Sequence, residues 1–134
     1  MARYTVTVIR DFVAQHFLFG ADWGRENQLH SHHYELEASF AGDQLDQHQY
    51  LLDIAVVNDH LERLIDRYRD TTLNPLPEFE ARNPSLELFA RLLAEGLARP
   101  LAAEGKLVGC QSLTVKLWEH EQAFATYTLA LSPS

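Results

Sequence analysis

Between about residues 3 and 18 the apolar side chains fall on alternate positions. Tyr4, Val6, Val8, Phe12, Ala14 and His16 share one parity, and β-branched residues are frequent. A period of two predicts a long strand. Residues 22–28 are polar and contain a glycine, which marks a loop. A second strand is predicted from about 29 to 40, with His30, His32, Tyr34, Leu36, Ala38 and Phe40 on one face. Its other face carries His33, Glu35 and Glu37, the polar side of a half-buried strand. Residues 41–49 read as a polar connection, and 50–52 leave room for a short strand.

The period then changes. Asp53 is placed to cap a helix whose apolar positions Ile54, Val57, Leu61, Leu64, Ile65 and Tyr68 repeat every 3.6 residues. Pro75, Pro77 and Pro84 make residues 71–84 irregular. Asn83-Pro84-Ser85 opens a second helix, with the proline at or near its first turn and a stripe of Leu86, Phe89, Leu92, Leu93 and Leu97. Two strands, about 110–119 and 123–131, close the chain around a turn at His120-Glu121-Gln122. The order is ββααββ in one domain, 1–134, without internal repeats. This predicts an α+β fold: a four-stranded antiparallel sheet with both helices on one face. The other face is left uncovered, and apolar residues on both sides of a sheet call for a second copy of the chain, so an oligomer is expected.

Composition narrows the class. The 134 residues are 46% hydrophobic and 22% charged, as in a globular protein. No apolar run approaches the roughly 20 residues of a membrane helix. The N-terminal residues lack the apolar core of a secretory leader, so a cytoplasmic location is the default expectation. A net charge of −8 counts against nucleic acid as a partner. The single cysteine, Cys110, excludes a disulfide framework and a cysteine-rich metal site, and reads as a small core residue.

Histidine is the unusual component: there are seven, three of them within His30–His33. His30 and His32 are two apart on a strand, so they project from one face about 6–7 Å apart at Cα. His16 has the same apolar parity late on the preceding strand, and antiparallel pairing across the 22–28 loop brings it opposite. The spacing suits zinc, which takes neutral imidazoles and, in catalytic sites, keeps a fourth position open. The competing reading is three inward histidines satisfied by backbone partners, and spacing alone leaves both standing. His33 has the opposite parity and reads as a surface or supporting residue. His48 and His60 belong to no constellation.

At these residues the chain resembles a known family. Phe12-Val13-Ala14-Gln15-His16-Phe17-Leu18 is similar to the F-x-A-x-H-x-L opening of the 6-pyruvoyltetrahydropterin synthase and 6-carboxytetrahydropterin synthase family. Leu29-His30-Ser31-His32-His33-Tyr34 resembles its L-H-G-H-x-Y motif, with Ser31 in place of the usual glycine. Leu51-Leu52-Asp53-Ile54, Leu73-Asn74, Asn83-Pro84-Ser85-Leu86-Glu87 and Val115-Lys116-Leu117-Trp118-Glu119 followed by Tyr127 are further landmarks in the family's order. The resemblance spans essentially the whole chain. It implies a tunnelling fold, in which three subunits close their sheets into a barrel and two rings stack into a hexamer. It also implies pterin sites between subunits and a catalytic Zn2+ on His16, His30 and His32. Glu119, on the apolar parity of Leu113, Val115 and Leu117, matches the glutamate that receives the pterin ring's N–H donors. Without the resemblance it would read as a salt bridge or turn cap.

Two positions depart from the family pattern. The cysteine usual before the H-x-H pair is absent, and the stretch reads Gly24-Arg25-Glu26-Asn27-Gln28. Glu26 is the nearest proton acceptor, and some members that make a folate precursor carry glutamate in this neighbourhood. The family's D-H-x-x-L-N segment is Arg69-Asp70-Thr71-Thr72-Leu73-Asn74 here, so the histidine is missing and Asp70 stands beside or in its place. The expected function is a zinc-dependent lyase acting on the side chain of a dihydroneopterin triphosphate-like substrate, in queuosine or folate biosynthesis. Glu26 and Asp70 would move protons, Glu119 would anchor the ring, and Arg25 would meet the phosphates. The alternatives are the folate-precursor reaction releasing 6-hydroxymethyldihydropterin, and a metal- or pterin-binding module without catalysis.

Overall fold

The computed structural model describes residues 2–131. Strands β1 (Tyr4–His16) and β2 (His30–Gly42) form a long antiparallel hairpin, paired from Tyr4 opposite Gly42 to His16 opposite His30. Helices α1 (Ile54–Tyr68) and α2 (Leu86–Ala103) follow. Strands β3 (Ser112–His120) and β4 (Ala123–Ala130) complete an antiparallel sheet ordered β1-β2-β3-β4. The expected ββααββ order and four-stranded sheet are therefore observed. Among the described residues, no helix is long and apolar enough to cross a membrane.

Strand parity decides what is buried. Val8, Phe12 and Ala14 of β1, Tyr34, Leu36, Ala38 and Phe40 of β2, and Leu113, Val115 and Leu117 of β3 all turn inward. They meet Val57, Leu61 and Ile65 of α1 and Phe89, Leu93 and Leu97 of α2 in one continuous core. Phe89 lies at the centre of an aromatic cluster, with the rings of Phe12, Tyr34, Tyr68 and Phe79 edge-on at 5.0–5.9 Å. This is the preferred aromatic geometry and fixes α2 over the first two strands. The helix starts are capped as polar side chains allow: Asp53 accepts from the N–H of Ala55 and Val56, and Ser85 from that of Leu88.

Two local expectations need correction, at the end of β1 and at residues 50–52. β1 stops at His16 rather than 18, because Phe17 and Phe19 pair with asparagine side chains instead of a strand. Pro84 stands just before the Ser85 cap, beside the first turn of α2 as expected, and its carbonyl is available elsewhere. Residues 50–52 form no strand. Asp46 Oδ1 accepts from the N–H of His48 and Tyr50, and Gln49 takes a positive φ of 69°, so the chain turns there while Leu51 and Leu52 bury. The open face of the sheet is largely polar. Hydroxyl pairs Thr7–Ser39 and Thr114–Thr128 and the His33–Asp11 pair cross it. Lys116 lies over the rings of Trp118 and Phe124, and Trp118 donates to Glu37. Ile9, Val13 and Phe124 are also exposed on this face, so apolar residues do lie on both sides of the sheet, although the open side is the more polar one.

Candidate metal centre

The β1–β2 register brings the histidines together. His16 and His30 are direct partners at the open end of the hairpin, and His32 follows on the same face, opposite Ala14. The three ring centroids lie 4.5–4.9 Å apart with planes 74–88° to one another. Each ring turns its Nε2 inward, and all three Nε2 atoms are buried without a hydrogen-bond partner. A neutral polar atom left so in a folded interior costs about 1–3 kcal/mol, and here three converge.

Backbone carbonyls fix the tautomers. His16 Nδ1 lies 2.9 Å from the Pro84 carbonyl and His30 Nδ1 2.7 Å from that of Gln28. A carbonyl only accepts, so Nδ1 carries a proton, and in the neutral imidazole Nε2 then presents the lone pair that a metal ligand needs. Burial, then the neighbouring His30 and His32, hold His16 below the ordinary histidine range and keep it neutral. The Tyr34 hydroxyl, 3.5 Å from His16 Nδ1, is pushed far up by burial and stays protonated.

Glu26 completes the cluster. It sits on a 3-10 turn, Gly24–Asn27, between the two strands. The loop is clamped from α2's side of the chain: Asn74 exchanges two hydrogen bonds with Phe17, and Asn83 two with Phe19. Asn27 holds the loop's carbonyls at Leu18 and Ala21. So placed, Glu26 Oε2 is 2.9 Å from His30 Nε2 and 4.0 Å from His16 Nε2, though neither pair has hydrogen-bond geometry. One ligand atom from each of His16, Glu26, His30 and His32 falls within 4.8 Å of the others. Buried lone pairs of nitrogen with one carboxylate oxygen fit a divalent metal such as zinc.

Glu119 approaches from β3. Alternation from Leu113, Val115 and Leu117 turns Glu119 to the helix side, at the point where the β3–β4 register shifts, with Oε1 2.8 Å from His32 Nε2. Contact with His32 holds its carboxyl below the usual range, so it stays ionised. A groove of about 690 Å³, lined by His32, Glu119, Ser31, Trp118 and Glu121 among others, opens beside the pair. That volume suits a small organic ligand.

The other candidates lie outside the cluster. Asp70 is exposed in a left-handed turn (φ 55°) after α1, its N–H donating to the Val13 carbonyl on β1. Arg25 is exposed on the 3-10 turn, with no side-chain hydrogen bond or ion pair among the described residues. Cys110 is buried and its thiol is pushed up to about 11, which fits a core residue. His33 pairs with Asp11 on the open face, and His60 with Glu104.

Residues 5–130 match the family described as 6-pyruvoyl tetrahydropterin synthase. The chain belongs to the 6-pyruvoyl tetrahydropterin synthase family. Its fold is the tunnelling fold of that family, seen in solved structures. Caenorhabditis elegans 6-pyruvoyl tetrahydropterin synthase superposes with a TM-score of 0.74 at 19% identity, over 97% of this chain and 99% of that one. The Plasmodium vivax enzyme gives 0.74 at 13% identity, over 96% and 99%. A catalytic-residue variant of that enzyme, with glutamate replaced by alanine, gives 0.66 at 13% identity, over 96% and 99%. No curated protein matches this chain. Family members are lyases of pterin biosynthesis.

Sequence reasoning missed the carbonyls of Pro84 and Gln28 and the clamps of Asn74 and Asn83. The two asparagines were visible as landmarks of the family resemblance, but strand periodicity says nothing about side chains that replace a strand. No signal along the chain marks a carbonyl as the partner of a histidine.

Proposed function

We propose that this chain is a zinc-dependent pterin enzyme acting on the side chain of a dihydroneopterin triphosphate-like substrate. The convergence of three buried, unpartnered Nε2 atoms carries this reading. His16, His30 and His32 would hold Zn2+, which when bound supplies a Lewis acid for the substrate's side-chain oxygens. Glu26 Oε2, beside the metal position, is the group to accept a proton from the side chain. Glu119, ionised at the edge of the groove, would receive the ring's N–H donors in charge-assisted hydrogen bonds. The exposed Arg25 is the cation nearest in sequence for the phosphates. Asp70, on the surface beside β1, would assist proton movement where a neighbouring subunit completes the site. The protein would act as a homo-oligomer, a hexamer of two trimers, in the cytoplasm.

A specific feature favours a second reaction of the same site. The acceptor is a glutamate and not a cysteine, and glutamate is a catalytic residue in the Plasmodium vivax enzyme. Through the family resemblance, in which some members that make a folate precursor carry glutamate in this neighbourhood, it favours the folate-precursor reaction releasing 6-hydroxymethyldihydropterin. Incubating the zinc-loaded protein with dihydroneopterin triphosphate and identifying the pterin product separates the two reactions. Glu26→Gln should slow either by about 10²–10⁴-fold, with pterin affinity retained. No turnover of any pterin would favour a binding module instead.

A further inference from the structure

Glu26 is held in an arrangement that a proton acceptor alone does not require. In a tetrahedral zinc site with ligands at 2.0–2.2 Å, neighbouring ligand atoms lie roughly 3.3–3.5 Å apart. Glu26 Oε2 stands 2.9 Å from His30 Nε2 and 4.0 Å from His16 Nε2, values on either side of that spacing. The chemistry points the same way. The Nδ1 protons of His16 and His30 are committed to the Pro84 and Gln28 carbonyls, so in the neutral rings the Nε2 atoms carry the lone pairs. A carboxylate oxygen facing lone pairs, outside hydrogen-bond geometry, is repelled unless a cation lies between them.

We infer that in the substrate-free protein Glu26 is the fourth ligand of the metal, closing the position a three-histidine catalytic site leaves open. This rests on the reading of the histidines as a metal site. Glu119 also lies against one imidazole, but it is not in the mutually close set of ligand atoms. The turn that carries Glu26 buries none of its four residues, so its release costs no core contact. The proton acceptor is thus held on the metal until a substrate oxygen takes its place, which couples release of the base to substrate binding.

The test needs no pterin. Zinc affinity is measured by competition with a chromophoric chelator for the wild type, Glu26→Gln, Glu119→Gln and His32→Ala. Glu26→Gln should weaken zinc by roughly tenfold to a hundredfold, while Glu119→Gln, which removes an equal charge near the same imidazoles, should change it by less than about threefold. In the Co(II)-loaded proteins, azide should perturb the visible spectrum of Glu26→Gln strongly and that of the wild type weakly. Equal affinity in Glu26→Gln and wild type, equal losses in both glutamate variants, or equal azide responses would overturn the fourth-ligand assignment. If His32→Ala also kept its zinc, the metal site itself would fail.

Discussion

At the scale of single residues, the site depends on where protons are. Two backbone carbonyls commit Nδ1 of His16 and His30, and burial keeps His16 neutral with its Nε2 lone pair facing inward. The histidines were legible in the sequence because parity on two adjacent strands is a simple rule. Glu26 was legible only as the nearest acceptor, since its approach to the rings depends on a loop pinned by side chains far away in sequence. Glu119 was legible by the same rule as the histidines, since it continues the inward parity of Leu113, Val115 and Leu117. Its proposed role gives a clear outcome: Glu119→Gln should weaken binding of neopterin by roughly tenfold to a hundredfold, the scale of hydrogen bonds to a charged group. Fluorescence titration checks this, and the zinc content should hold.

At the scale of elements, periodicity located every long strand and helix, and it failed where side chains set the path. Asp46 turns the chain where residues 50–52 had left room for a short strand, and Asn74 and Asn83 take over from β1. One close approach is decisive. A Cβ on Gly42, at the end of β2, would run into the Gly109 carbonyl oxygen and lie 2.7 Å from a Leu51 methyl. Gly42→Ala should therefore cost about 1–3 kcal/mol, read from the urea midpoint. A second link ties α1 to the 3-10 turn Pro77–Phe79. Arg67 donates twice to Glu78 at 2.7 Å, and the Tyr68 hydroxyl donates once. The Arg67 bonds lower the Glu78 carboxyl to about 2. A carboxyl lowered on folding contributes its stability in full above the ordinary carboxylate range, and loses it as pH falls from there towards 2. Because Arg67 is partly exposed, Glu78→Gln should cost only about 1–2 kcal/mol at neutral pH. The gap to the wild type should narrow between pH 5 and pH 2, by the roughly pKa-unit-wide steps that linkage sets.

At the scale of the whole molecule, the helices cover one face of the sheet, and β1 and β4 stand at its edges. The open face combines hydroxyl and charge pairs with exposed Ile9, Val13 and Phe124, so it keeps apolar area for a second copy to cover. The proposed oligomer rests on that face, on the sheet edges at β4 and the first part of β1, whose later residues Val13 and Gln15 already bond residues 70–73, and on the family's barrel. Light scattering at micromolar concentration should give a hexamer, and a stable monomer would contradict it. The central claim is that the hairpin's three imidazoles hold a metal. Elemental analysis of purified wild type and His32→Ala, with matching circular dichroism, tests it most directly. The account predicts about one zinc per subunit in the wild type and nearly none in the variant. Equal metal content in the two would contradict it.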